Sequence, residues 1–192
     1  MLQVITGPMY SGKTEELIKR LIEVRNAGRQ VILFKPNIDT RYGADDVVSH
    51  NGAHFKALSL NVGQEGKIWN SAPLSYAVKH SSFVAFDEGN LFSVALINLC
   101  RVIMAMHIDV IVAGLNLDCR GEPFFPMPTL MAIADKVDVL TAWCEVCGRT
   151  ATKTQRITLG NGALIQVGGK EMYEARCSWC FVPFKEEGNE DK

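Results

Sequence analysis

Residues 2–17 read LQVITGPMYSGKTEEL: an apolar, β-branched run, a loop bounded by glycines, then charges at helical spacing. Within it, Gly7-Pro8-Met9-Tyr10-Ser11-Gly12-Lys13-Thr14 fits G-x-x-x-x-G-K-[ST] in the context that pattern requires, a strand before and a helix after. Glycines let the backbone curl so that consecutive N–H groups face phosphate oxygens, and the helix that follows adds the positive end of its dipole. On this reading Lys13 reaches the outer phosphates and the Thr14 hydroxyl serves Mg²⁺. The alternative is an ordinary strand–turn–helix corner, which explains neither the lysine nor the hydroxyl.

Outward from that loop the pattern repeats. "TEELIKRLIEVRNAG" reads as a helix with Leu17, Leu21 and Val24 on one face, Glu16 and Arg20 at i,i+4, and Gly28 as its stop. Strands are expected at "QVILFK", "SFVAFDE", "IDVIVAGL" and "VDVLTAW", with helices at "LFSVALINLCRVIMAMH" and "TLMAIADKV". Strands separated by helices imply a parallel sheet covered on both faces, the α/β layout.

"FVAFDEGN" supplies the acidic partner of the loop. Asp87 ends an apolar strand, where P-loop proteins keep the carboxylate that organises Mg²⁺. Glu88 follows over the carboxyl edge of the sheet, where ligands collect. The residues leave two roles open to it: positioning a water for ATP hydrolysis, or taking a proton from a substrate hydroxyl; a third reading, a solvated acid at a strand end, fits adjacent carboxylates after a buried strand less well.

The pattern changes at Cys144. Cys144-x-x-Cys147 and Cys177-x-x-Cys180 bracket "TATKTQRITL-GNG-ALIQV", which reads as two strands about a Gly-Asn-Gly turn. Four cysteines at this spacing match a closed, structural, tetrahedral Zn²⁺ site, and a segment this small draws much of its folding energy from the metal. A redox role fits less well, because redox pairs sit at a helix start after a strand. The expected division is 1–143 for the nucleotide-binding unit, 144–184 for the metal-binding unit, and 185–192 for a charged, frayed tail. Cys100 reads as core and Cys119 as ambiguous. His50, His54, His80 and His107 read as surface or packing residues.

Composition narrows the classes. The chain has 192 residues, 47% of them hydrophobic, with a formal net charge of −1 and six cysteines. A neutral total disfavours a protein that grips nucleic acid by its phosphates. The absence of a leader pattern or an apolar span implies a soluble, cytoplasmic protein without membrane contact, and a reducing compartment disfavours disulfides.

The blocks "GPMYSGKT", "DTRYG", "FDEGN", "AGLNLDCRGEPF" with "PMPTL", and "GGKEMYEARCSWC" occur in that order. In them the sequence resembles the type II, cellular-type thymidine kinase family over nearly its whole length. The resemblance implies a RecA-like P-loop domain followed by a zinc-ribbon-like domain that carries a lasso loop. It implies transfer of the ATP γ-phosphoryl group to the 5′-hydroxyl of thymidine or deoxyuridine, with Glu88 as the base and Asp87 supporting Mg²⁺. Asp39, Arg41 and Asn90 would serve the phosphates and metal. The lasso residues Leu164, Ile165, Gln166, Val167 and Gly168 would read the base, and Tyr173 would hold the sugar. Met9, Leu91, Leu115, Cys119, Phe124 and Thr154 would line the pocket. A homotetramer and feedback inhibition by dTTP follow from the same resemblance.

Asn116, Leu91, Cys119, Gln166 and Ser178 depart from the family pattern. Leu91 and Cys119 stand where aromatic rings often flank the base, which implies a more permissive pocket. The competing reading is a RecA-like ATPase whose zinc ribbon contacts DNA. A third is a metal-dependent structural adaptor without turnover.

Overall fold

The structure, a computed structural model, describes residues 1–39, 46–48, 54–158 and 166–184. Arg41, His50, Leu164, Ile165, the Gly-Asn-Gly turn and the 185–192 tail lie outside the described residues. Among the described residues no helix is long and apolar enough to cross a membrane.

The centre is a six-stranded sheet of β1 (Leu2–Thr6), β2 (Val31–Pro36), β5 (Leu58–Leu60), β6 (Phe83–Phe86), β7 (Asp109–Gly114) and β8 (Lys136–Val139), in the order β5-β2-β6-β7-β1-β8. Every pairing in it is parallel. Between them run helices α1 (Lys13–Asn26), α2 (Ala72–Lys79), α3 (Ala95–Ala105) and α4 (Met127–Ile133). A short antiparallel pair, β3 (Asp46–Val48) with β4 (His54–Lys56), lies between β2 and β5 in the chain.

Alternation along the strands sorts the core into two layers. Ile5, Leu33, Phe83, Ala85, Ile111 and Ala113 point to the face covered by Leu17, Ile18 and Leu21 of α1. Val4, Phe34, Val84, Phe86, Val110 and Val112 point to the face covered by Leu96, Leu99 and Ile103 of α3 and by Met127 and Leu130 of α4. Successive side chains of a strand face opposite ways, so continuous apolar runs such as VIVA require cover on both sides. Helices cover both faces, as the sequence pattern expects.

Helix α1 ends as its sequence implies: Gly28 adopts φ 80° and its N–H donates to Arg25 O at 2.9 Å. Three expectations are corrected. The helix expected over 91–107 starts later, at Ala95, because residues 89–91 form a 3₁₀ turn and Phe92 is extended (φ −80°, ψ 163°). The helix expected over 129–137 spans Met127–Ile133, and Lys136 already pairs with Gln3 in the sheet. The strand expected over 137–143 is split: Lys136–Val139 joins the large sheet, while β9 (Ala142–Trp143) pairs with β10 (Thr150–Ala151).

The cysteine-bearing segment is built from that small pair and a second one. β11 (Lys153–Arg156) runs antiparallel to β12 (Tyr173–Arg176), with Thr154 opposite Ala175 and Arg156 opposite Tyr173. Among the described residues the strand that "TKTQR" pairs with is "YEAR", and of the expected "ALIQV" strand Gln166 and Val167 are not in a strand. Ala142, Cys144, Ala151, Ala175 and Cys177 form a third, small cluster, and Tyr10 packs against it.

Candidate active site and metal centre

The phosphate-loop candidate leaves the carboxyl end of β1. Gly7 sits at φ 147°, and a Cβ there would lie 2.3 Å from Leu140 O, so only glycine passes the end of β8. Tyr10 (φ 65°) and Gly12 (φ 81°) complete the curl, after which Glu16 N–H donates to Gly12 O at 2.9 Å and α1 begins. Two side chains close the loop on itself: Ser11 Oγ and Lys13 Nζ donate to Pro8 O at 2.8 and 2.7 Å.

Thr14 and Asp87 meet across the sheet. The Thr14 hydroxyl stands 3.2 Å from Asp87 Oδ2 and 3.4 Å from Oδ1. They are 73 positions apart in sequence, and Asp87 is buried. The Asp87 N–H donates to Phe34 O at 2.9 Å, extending the β2–β6 ladder and aligning the carboxylate with the carboxyl edge. A loop hydroxyl facing a buried strand-end carboxylate is the arrangement that P-loop proteins use around Mg²⁺. These donors suit a hard cation, since both are oxygens.

Glu88, partly buried, takes the left-handed conformation (φ 52°, ψ 44°) at the head of the 89–91 turn. A non-glycine residue is held there only when its surroundings over-determine it. The surroundings are visible. A Cβ at Gly89 would lie 2.5 Å from Val112 Cγ1 and 2.9 Å from Met127 Sδ. Buried Asn90 turns its side-chain oxygen to Leu115 N–H at 2.8 Å. Asn90 thus ties the turn to the end of β7, bringing Leu91 and Leu115 into one neighbourhood. Asp39 is buried just past β2, its N–H on Pro36 O at 3.0 Å.

A second neighbourhood assembles from the carboxyl-terminal segment. The Met9 N–H donates to Thr154 Oγ1 at 3.0 Å, and Thr154 is buried. Tyr173 OH donates to Gln166 O at 2.8 Å, drawing the start of residues 166–169 onto β12. Gly168 lies close to the Met172 side chain, which a Cβ there would displace, and Val167 beside it is partly buried. Cys119 is buried, its carbonyl taking Phe184 N–H at 3.0 Å. Burial pushes the Cys119 thiol up, Asp118 adds to this, and Arg156 opposes both. Burial likewise raises Tyr173 against the pull of Arg156. Phe124 is partly buried, its N–H on Asn116 O at 2.9 Å.

Sequence reasoning missed several residues that shape this region. Buried Arg156 stacks on Phe184 at 4.5 Å and donates to Thr158 O at 3.1 Å. Buried Asp118 accepts the Arg120 and Glu122 N–H groups at 2.8 and 3.0 Å, fixing the loop that carries Cys119 and Phe124. The Asp-x-Arg-x-Glu spacing carries that signal, since aspartate commonly bonds to N–H groups two residues on. Lys35 is buried directly after Phe34, the register partner of Phe86. Only the sheet order shows it to be beside Asp87.

The sulfur atoms of Cys144, Cys147, Cys177 and Cys180 all lie within 4.8 Å of one another. Zn–S bonds of about 2.3 Å in a tetrahedron put sulfurs about 3.8 Å apart, so the set fits structural zinc. Burial opposes ionisation of Cys144, but N–H groups of Cys177, Cys147 and Val146 bring its thiol down to about 6. The neighbouring thiols of Cys147 and Cys177 push Cys180 up to about 12. Cys100, deep in α3, is raised to about 12 by burial and belongs to the core, as expected.

Comparison with known proteins identifies the family. A family model described as thymidine kinase matches residues 1–181. The chain belongs to the thymidine kinase family. It is also 45% identical over 182 residues to a thymidine kinase of Coprothermobacter proteolyticus, covering 92% of this chain and 88% of that one. Membership makes the chain a phosphotransferase. The match runs through both cysteine pairs, so the loop, the Asp87–Glu88 edge and the cysteine-bearing segment belong to one family unit.

Proposed function

We propose that this enzyme transfers the γ-phosphoryl group of ATP to the 5′-hydroxyl of thymidine, and of deoxyuridine, with Glu88 as the base. The observation that carries the reading is the Thr14–Asp87 pair at 3.2 Å, with Glu88 next in sequence on the same carboxyl edge. Family membership and the curated relative's name supply the substrate class.

The roles follow from what each group can do. The loop from Gly7 to Thr14 binds the triphosphate through its N–H groups, and Lys13 offsets charge on the outer phosphates. Thr14, Asp87 and Asp39 would hold Mg²⁺, which would supply charge neutralisation at the phosphates. Arg41 adds a fixed positive charge. Glu88 accepts the hydroxyl proton; a positioned base contributes roughly 10²–10⁴ in rate, the remainder coming from alignment and charge.

Gln166, Val167 and Gly168, with Tyr173, would serve as the lid over the nucleoside, and the resemblance extends that role to residues 164 and 165. Excluding water separates a kinase from an ATPase, because water competes for the same phosphoryl group. Zinc on the four cysteines gives that lid a fixed root, on a 144–184 unit distinct from the 1–143 unit. Leu91 and Cys119, smaller than aromatic rings, make the pocket permissive at the pyrimidine 5-position. Tetramer assembly, dTTP inhibition and a cytoplasmic setting complete the reading.

The test is radiolabelled phosphate transfer from ATP to a nucleoside panel, with zinc content measured on the same sample. Thymidine-dependent ADP release is expected. Release driven only by single-stranded DNA would replace this reading with a DNA-dependent ATPase. Glu88→Gln should bind ATP near normally while losing most phosphorylation; retained turnover removes Glu88 from the role. A bulky 5-substituted analogue used no better than by an aromatic-lined relative would remove the permissive pocket.

A further inference from the structure

We infer that Glu65 is a positioning residue: it fixes the exit of the 88–93 turn through Ser93 and so holds Glu88 in its left-handed conformation. Glu65 opens the 3₁₀ turn Glu65–Asn70 and is wholly buried. Its Oε1 accepts the Ser93 N–H at 2.7 Å and the Gly63 N–H at 3.1 Å, while its Oε2 accepts the Ser93 hydroxyl at 2.8 Å. Ser93 Oγ in turn takes the Ala95 N–H at 3.2 Å, at the first residue of α3.

An ionised carboxylate is acceptor-only and offers one oxygen each to the N–H and the O–H of Ser93. That double grip fixes the backbone of Ser93 and its rotamer together. A glutamine has one acceptor oxygen and loses half of the grip. Burying a carboxylate is costly unless donors surround it, and Glu65 is wholly buried. Burial alone would raise its protonation equilibrium, but the Ser93 and Gly63 donors hold it below the ordinary 4.5.

The mechanical link is short. Leu91 N–H donates to Glu88 O at 2.8 Å and Phe92 N–H to Gly89 O at 3.3 Å, so residues 88–92 form one tight unit. Its entrance is held by the Asp87 N–H on Phe34 O and its middle by Asn90 on Leu115. Phe92 packs edge-on against Phe86 at 5.9 Å. Ser93 anchors the exit of the unit: Glu65 holds its N–H and hydroxyl, and its carbonyl takes the Leu96 N–H at 3.1 Å. A residue in the left-handed region relaxes away when its restraints are loosened. Glu88 does so by swinging its carboxylate off the edge that it shares with Asp87.

The inference rests on Glu88 being the base, and the experiment separates the two. Glu65→Gln, Glu65→Ala, Ser93→Ala and Glu88→Gln are compared with the wild-type enzyme, zinc loaded, well below each melting temperature. Thymidine phosphorylation, ATP affinity and the pH dependence of kcat are measured. Glu65→Gln is expected to lower kcat about tenfold and shift the acid limb of its pH profile, with ATP affinity within about twofold of wild type. Ser93→Ala should move kcat in the same direction by less, and the Glu65→Gln/Ser93→Ala double variant should be no worse than Glu65→Gln alone. If Glu65→Ala does not fold, the glutamine and Ser93 variants still decide. A Glu65→Gln enzyme with wild-type kcat and acid limb, altered only in melting temperature, overturns the inference while an inactive Glu88→Gln leaves the base in place. Full turnover in Glu88→Gln removes the base and the inference together.

Discussion

Replacing Thr154 by valine tests the joint between the phosphate loop and the cysteine-bearing segment. Valine has nearly the shape of threonine and the same stiffness at χ1, so packing is kept while the acceptor for the Met9 N–H is lost. Thr154 is only 3% exposed, so water cannot readily take its place. Leaving such a donor unmade costs about 1–3 kcal/mol, roughly a 5- to 150-fold change in an equilibrium constant. Thr154→Ser keeps the hydroxyl and loses one methyl, a cost of about 0.8 kcal/mol. Urea unfolding of the zinc-loaded protein should therefore rank wild type above serine and serine above valine. Hydrogen exchange supplies the local readout: protection of the Met9 amide should survive in serine and collapse in valine. A valine variant as stable as the serine one, with Met9 still protected, would refute the claim that this bond joins the two segments.

Two glycines of the loop should respond differently to alanine. Gly7→Ala places a methyl 2.3 Å from Leu140 O at positive φ and should abolish ATP binding or folding; Gly12→Ala meets only Glu15 Oε2 at 3.9 Å, so its cost is the left-handed backbone, about 1–2 kcal/mol. Equal losses by thermal melting and ATP titration would show that the contact at Leu140 is not decisive. Chelation of zinc should deprotect residues 142–156 and 173–180 in hydrogen exchange while β1, β6 and β7 stay protected; uniform loss would mean that the metal holds the whole chain. Glu65 is held below its ordinary 4.5, so the folded state binds its proton less readily than the unfolded chain. That stabilisation is complete above the unfolded value and drains as pH falls through the lower, folded one. Glu65→Gln should therefore flatten the acid limb of the stability curve, and an acid limb identical to wild type by circular dichroism would contradict this.

What the sequence made legible was local in origin. The β1–loop–α1 corner could be read because glycines, lysine and threonine stand at fixed offsets and the flanking periods switch from strand to helix. The cysteine pairs were legible for the same reason. β5 was not: Leu58–Leu60 is three residues long and only Leu60 is buried, so it carries no period. The split of residues 136–143 between two sheets was hidden because both halves are extended and adjoin without a turn signal; only pairing with Gln3 on one side and Ala151 on the other separates them. The partner of β11 was misread because a Gly-Asn-Gly turn argues for its nearest neighbours, whereas the ladder that forms pairs Arg156 with Tyr173. Glu65 left no mark in the sequence, since its partner Ser93 lies 28 positions away.

The family unit has a physical logic that neither half explains alone. A P-loop is a strained curl of backbone, here with Tyr10 in the left-handed region, and needs a wall to hold it. Three sides come from the sheet: the close passage of Gly7 beneath Leu140, the start of α1 at Lys13, and Thr14 on Asp87. The fourth comes from the cysteine-bearing segment, where Thr154 takes the Met9 N–H and Tyr10 packs against Ala142, Cys144, Ala151, Ala175 and Cys177. Two of those wall residues are zinc-ligand candidates. The cysteine cluster is therefore one residue contact away from the glycine-bounded loop. The glycine-bounded loop and the cysteine-bearing segment are consequently not independent in this fold, because the contacts that join them both fall on Met9 and Tyr10.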